Sequence, residues 1–230
     1  MIPLRDNVPR TTWPWGTVSL IVVNCMIFIR EITLHPAQLD LLMGTYALIP
    51  ARSVGFWTGL PVSASQAIFP LFTSMFLHGG WMHLIGNMWF LWIFGDNVED
   101  RVGHLRFLAL YVCGGLAGAL AHILSSSQST VPTVGASGAI AAVMGAYLIS
   151  FPRARVLTLV PIFFFLTTVE IPAIFILLYW LLLQFLSGAA SLGQMDQGGV
   201  AWFAHIGGFL AGVPLMLLLR QRSGRRSSWL

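Results

Sequence analysis

Apolar residues run through this chain in long blocks separated by short polar breaks, without the strict alternation of a half-buried strand. Six blocks approach the roughly 20 residues that cross a hydrocarbon core: 13–29, 81–95, 107–124, 134–151, 171–186 and 200–219. The whole stretch between Arg106 and Arg153 lacks a formal charge, about enough for two crossings, and the polar run 125–130 divides it. The pattern predicts an all-α membrane protein, a six-helix bundle. A further apolar stretch, 156–168, is short for a span, so a connection is expected there rather than a seventh crossing. The long first loop, about 35–77, holds Pro36, Pro50, Pro61 and Pro70 among aromatic residues and cannot be one helix. It is expected to lie in the membrane interface as a cover over the outer face.

Charge adds an orientation. All twelve basic residues are Arg. With the N-terminus inside, Arg5, Arg10, Arg101, Arg106, Arg153, Arg155, Arg220, Arg222, Arg225 and Arg226 fall on the cytoplasmic side, and only Arg30 and Arg52 face out. A seventh span would export the C-terminal Arg cluster, which again favours six with both termini cytoplasmic. Residues 1–12 are then a cytoplasmic N-terminus and 220–230 a basic cytoplasmic tail. A composition of 57% apolar and 9% charged residues excludes an ordinary soluble domain. The Arg residues are scattered over several segments and make no nucleic-acid surface. Cys25 and Cys113 both lie in apolar segments, so no disulfide framework is expected. The N-terminus lacks a cleavable signal pattern, so the chain is expected to start near Met1.

Polar groups in hydrocarbon are costly and mark candidate chemistry. His83, Asn87, Ser137 and His205 stand out. Spans two, four and six run in the same direction, so depth can be counted from the charged residue at each inner end. Ser137, His205 and His83 each come out about 23 Å above that boundary, and Asn87 about one turn deeper. In a core of about 30 Å the set lies roughly 7 to 10 Å below the outer surface. Small residues flank two members, Ala141 and Gly145 after Ser137, and Gly208 and Gly212 after His205, and such stripes let helices approach closely. Gly135 and Gly138 extend the packing set. If those faces meet, the hydroxyl and the imidazole come within the reach a nucleophile and its base require. Ser137 also falls in the first turns of its helix, after Pro132 and Gly135, where free N–H groups can hold an oxyanion. His83 and Asn87, four apart on one face, can donate toward the same charge. Taken singly, a Gly-Ala-Ser-Gly string is more often a packing site; the shared depth changes that weighting. His78 and His83 fall on different helix faces with no carboxylate partner, so no metal and no cofactor are expected. His122 reads as a satisfied polar contact, His35 and His104 as loop residues, and Glu99 with Arg101 as an interface pair.

These residues resemble the rhomboid intramembrane serine proteases. The strings that carry the likeness are Phe-Leu-His78-Gly-Gly-Trp-Met-His83-Leu-Ile-Gly-Asn87, Glu99-Asp-Arg101, Gly135-Ala-Ser137-Gly138 and Ala204-His205-Ile-Gly-Gly208-Phe-Leu-Ala-Gly212. The resemblance implies that Ser137 is nucleophile and His205 base, that His83 and Asn87 join backbone N–H groups in an oxyanion hole, and that 13–219 is the catalytic domain. It also implies a dyad without an acidic third member, the imidazole being oriented by helix packing. Three departures stand beside it: Ala141 where some members have Tyr under the His ring, no Trp-Arg pair in the first loop, and Ser74 where some carry His. The expected partners are the lipid bilayer and single-span membrane proteins cut near the outer end of their spans. The expected setting is a bacterial inner membrane. A noncatalytic rhomboid-like protein that binds membrane clients is the rival, and its sign would be loss of the Ser or the His.

Overall fold

The computed structural model describes residues 2–162, 165–191 and 200–220. Past Arg220 the expected basic tail lies outside them. Among the described residues the chain forms nine α-helices and one three-stranded sheet. Helices α1 (Trp15–Ile32), α6 (His104–Ser125), α8 (Ala173–Ser191) and α9 (Trp202–Leu219) are long and apolar enough to cross a membrane. Two of the six expected blocks differ. Helix α5 (Trp81–Val102) is long enough but ends in a charged turn, and α7 (Ser137–Ser150) has only 14 residues.

The reason α7 is short lies at its start. Gly135 holds φ +128, a backbone state that favours glycine, and the helix begins two residues later. Gly135 lies in the turn before α7, where it lets the His83 ring of α5 pack against the backbone. A second such glycine, Gly103 at φ +87, forms the whole connection between α5 and α6.

The first loop is three helices and a 3-10 turn: α2 (Pro36–Tyr46), α3 (Pro50–Trp57), α4 (Ala64–Thr73) and Ser74–Phe76. Pro36 and Pro50 sit in the first turns of α2 and α3, where a missing N–H costs nothing. Ser63 and Gln66 close a capping box at α4.

The all-α expectation needs correction. Strands β1 (Ile2–Asp6), β2 (Arg155–Ile162) and β3 (Phe165–Pro172) form an antiparallel sheet in the order β1-β2-β3. Ile2 pairs with Leu159 and Asp6 with Val156, while Arg155 pairs with Pro172. Much of the stretch 156–168 is thus antiparallel strand, with Val and Thr whose branched side chains suit a pleated surface better than a helix.

Helix α7 is the centre of the bundle, and every residue from Gly138 to Tyr147 is buried. A helix apolar all round belongs in such a position. Its neighbours come close because glycines line the contacts. A Cβ added at Gly208 would run into the Gly138 carbonyl, one at Gly212 into that of Ala142, and one at Gly145 into that of Phe209. Gly138 itself faces Gly118 and Ala204. Backbone therefore meets backbone between α7 and α9, which brings the start of one helix against the start of the other.

At the far end, Glu99 is fully buried and caps α1 rather than lying in an exposed interface pair. It accepts from the Gly16 and Thr17 N–H groups, each at 2.7 Å, and from the Thr17 hydroxyl at 2.8 Å. His104 Nδ1 lies 2.5 Å from it, as the first residue of α6 and not a loop residue. The N-terminal segment is bound into the same end. Asp6 accepts from the Tyr147 hydroxyl and the Asn97 amide, and Pro3 O accepts from the Trp89 indole.

Candidate active site

The loop before α7 is tied down on both sides. Leu48 and Thr133 exchange backbone hydrogen bonds of 3.0 and 2.7 Å, and Gly135 N–H donates to Ser74 O at 2.9 Å. His122 Nε2 lies 2.9 Å from Thr133 Oγ1, the polar contact expected of it. Helix α7 then opens at Ser137, with Ala136 preceding it and no side chain capping its first N–H groups. Those donors and the positive end of the helix dipole are free for another acceptor at this point.

The imidazole of His205, in the first turn of α9, meets Ser137 here. His205 Nε2 lies 2.7 Å from Ser137 Oγ. On its other side Nδ1 lies 2.6 Å from Gln184 Oε1 of α8. The Trp180 ring packs against the imidazole at 5.6 Å between centroids and a tilt of 33°, and Trp202 approaches edge-on at 6.3 Å. The space left by Ala141 is thus answered from α8, not from α7. Sequence reasoning passed over both Gln184 and Trp180. The signal for Gln184 was present: it is the one amide in an otherwise apolar helix, and it is among the four buried residues of α8.

Helix α5 brings up the third group. The His83 ring lies against Gly135, and a Cβ at that glycine would stand 2.6 Å from His83 Nε2 and 3.6 Å from Ser137 Oγ. Gly79 N–H donates to His83 Nδ1 at 3.4 Å, which leaves the ring proton on Nε2, the nitrogen facing Gly135. Asn87, one turn along α5, is buried, and its amide nitrogen has no partner among the described residues. Behind His83 stands His78, also buried, with its ring 5.2 Å away and its backbone N–H donating to Glu31 Oε2 at 3.2 Å. The buried Glu31 carboxylate escaped sequence reasoning because nothing along α1 distinguishes it from an outer-boundary charge. All four groups singled out by depth therefore lie at one end of the bundle.

A small cavity of about 30 Å³ opens beside Ser137, lined by Gly115, His122, Gly135, Ala201 and Ala204 among others. That is room for about two water molecules. Among the described residues no three His, Cys, Asp or Glu side chains converge as a metal site would require. An uncapped helix start, a hydroxyl in contact with an imidazole, and free N–H donors form an arrangement that can attack a carbonyl and hold the resulting negative charge.

The Rhomboid domain matches residues 65–222, which span α4 to α9 and hold all of these groups. RHOMBOID-like protein 5 of Arabidopsis thaliana is 32% identical over 205 residues, covering 87% of this chain and 60% of the relative. RHOMBOID-like protein 6, mitochondrial, of the same plant is 33% identical over 247 residues, covering 96% of this chain and 74% of the relative. Rhomboid-like protease 5 of Toxoplasma gondii is 40% identical over 83 residues, covering 34% of this chain and 9% of the relative. The chain therefore spans well under the full length of some of these relatives. The domain match, and the similarity along nearly the whole chain, identify it as an integral multi-pass membrane protein of the rhomboid family.

Proposed function

We propose that this chain is an intramembrane serine endopeptidase that cuts transmembrane segments through an acyl-enzyme on Ser137. The observation that carries the reading is the 2.7 Å contact between Ser137 Oγ and His205 Nε2 at the uncapped start of α7. In this mechanism His205 Nε2 takes the hydroxyl proton as Ser137 Oγ attacks the peptide carbonyl. The tetrahedral oxygen is held by first-turn N–H groups of α7, by His83 Nε2–H and by the Asn87 amide. Collapse expels the amine, which receives its proton from His205, and water then enters by the same route in reverse. Dedicated donors of this kind contribute about 10²- to 10³-fold each in acyl transfer.

Six spans, formed by α1, α5, α6, α7, α8 and α9 with both termini cytoplasmic, fit this function. The 14 residues of α7 measure about 21 Å, so a helix ending at the cytoplasmic boundary begins about 9 Å short of the opposite surface. Ser137 is then below the outer face, within reach of water through the polar loop before it. As the resemblance to rhomboid proteases implies, the substrates are single-span proteins with small residues near the cleaved bond. Their helices unwind easily there, because a fully helical span keeps its carbonyls in backbone hydrogen bonds. The Arg distribution supports a bacterial inner membrane.

The test is reconstitution of the purified protein in liposomes with a model transmembrane substrate, alongside labelling by a fluorophosphonate. Cleavage and labelling are expected, and both are expected to vanish in Ser137→Ala. Cleavage that survives this substitution would sink the proposal; binding without cleavage in the unmodified protein would favour the client-binding reading.

A further inference from the structure

The donors and acceptors around His205 form a chain in which each link leaves one choice for the next. It begins with the backbone carbonyl of Trp180, which can only accept. Gln184 reaches that carbonyl with its amide nitrogen at 3.2 Å, so the other end of the amide, Oε1, must be the atom turned toward His205. Oε1 also can only accept. It lies 2.6 Å from Nδ1, so Nδ1 carries the ring proton and Nε2 of the neutral imidazole is bare. The bare nitrogen faces Ser137 Oγ, and the hydroxyl must donate to it. The direction of the Ser137 proton is thus decided by a backbone carbonyl one helix away.

We propose that Gln184 is the positioning residue of the dyad. It selects the Nδ1–H tautomer of His205 and, through the same amide, ties the imidazole to α8. This rests on the reading of His205 as the base. The local structure favours the role. Gln184 and Trp180 stand four apart on one face of α8, so the residue that orients the ring edge and the residue that packs on the ring face share a single stripe. Both are held against the bundle by Ala173, Leu177 and Gly188, the other buried members of that stripe. Gly188 faces Trp202 and Phe203 at the start of α9, where an added Cβ would stand 3.3 Å from Trp202 Cβ, so α8 comes close to the helix that bears His205. A neutral amide suits this position. It supplies the acceptor without the cost of burying a carboxylate among apolar helices.

The proposal makes a statement about the unmodified protein that needs no variant. In nitrogen-detected spectra of histidine-labelled protein, with His205 assigned by difference against His205→Ala, Nδ1 is expected protonated and Nε2 bare. The opposite tautomer would overturn the proposal outright. Gln184→Leu keeps the side chain's bulk in an apolar helix and removes the acceptor. It is expected to give a mixture of tautomers and to lower kcat roughly 10- to 100-fold, the usual effect of losing a partner that orients a working imidazole, with KM unchanged. Gln184→Glu restores an acceptor oxygen and is expected to recover the single tautomer and most of the turnover. If Leu and Glu lower kcat equally while the tautomer stays as it was, Gln184 is merely structural and the proposal fails. Failure of the protease reading looks different. In that case Ser137→Ala still cleaves, while the His205 tautomer continues to answer to residue 184.

Discussion

At the C-terminal end of α5, Glu99 is fully buried and its two oxygens take hydrogen bonds from Gly16, Thr17 and His104. Toward the N-terminal end of the same helix, Asn87 is also buried, yet its amide nitrogen has no hydrogen-bond partner among the described residues. The two ring nitrogens of His78 nearby are in the same condition. A buried donor left unmet costs about 1–3 kcal/mol. One end of α5 therefore spends its polar groups on holding α1, α5 and α6 together. The other leaves the Asn87 amide nitrogen and the His78 ring nitrogens without hydrogen-bond partners among the described residues. The contrast separates polar residues that hold the helices together from those that make no hydrogen bond within the described residues.

Four substitutions would break or sharpen this contrast. The largest effect is expected from His205→Ala at the open end. Turnover of a transmembrane substrate in liposomes should fall by at least about 10,000-fold, while the unfolding temperature in detergent changes little. A variant that unfolds early would move His205 into the structural class. Next comes Glu99→Ala, which strands the donors at the start of α1 and should cost about 3–5 kcal/mol in a denaturant titration. If stability is unchanged, the saturated end is not what holds the helices together. Asn87→Ala should do the reverse, lowering kcat about 10²- to 10³-fold without lowering stability, because the amide nitrogen it removes has no hydrogen-bond partner among the described residues. A loss of stability with kcat intact would show that Asn87 belongs with Glu99.

The smallest effect concerns Asp6. Burial lifts its carboxyl to about 6, against hydrogen bonds from Tyr147 and the backbone that pull the other way. The folded state then holds the proton more tightly than the unfolded chain. This contribution is complete below about pH 3.8 and declines as pH rises through about 6. The unfolding temperature should therefore fall from about pH 4 to about pH 6 more steeply in the unmodified protein than in Asp6→Asn. Equal slopes would assign the trend to other groups.

Much of this was readable along the chain. The apolar blocks marked α1, α6, α7 and α9 to within three residues, while α5 runs seven residues and α8 five past the ends of their blocks; the glycines after Ser137 and His205 mark where α7 and α9 touch through their backbones. Counting residues from the charged boundaries put Ser137 and His205 at one level, and the two side chains are in contact. The hairpin at 155–172 was less legible. Its Val and Thr pattern is short, and what makes it a sheet is a third strand drawn from the opposite end of the chain. Glu99 was misread for a related reason. Its partners, Gly16 and Thr17, lie more than 80 residues away, and nothing near Glu99 in sequence announces them.

Gln184 shows where the boundary falls. Hydropathy along a helix reports depth, because each residue advances about 1.5 Å along the axis. It says little about direction around the axis, where successive side chains point about 100° apart. The sequence by itself determined where the six long apolar helices run and which of their faces are small enough to meet. Only the tertiary structure decided that α8 is rotated to turn Gln184 toward His205 rather than toward lipid. That rotation depends on packing against α9, which no property of the α8 sequence alone can specify.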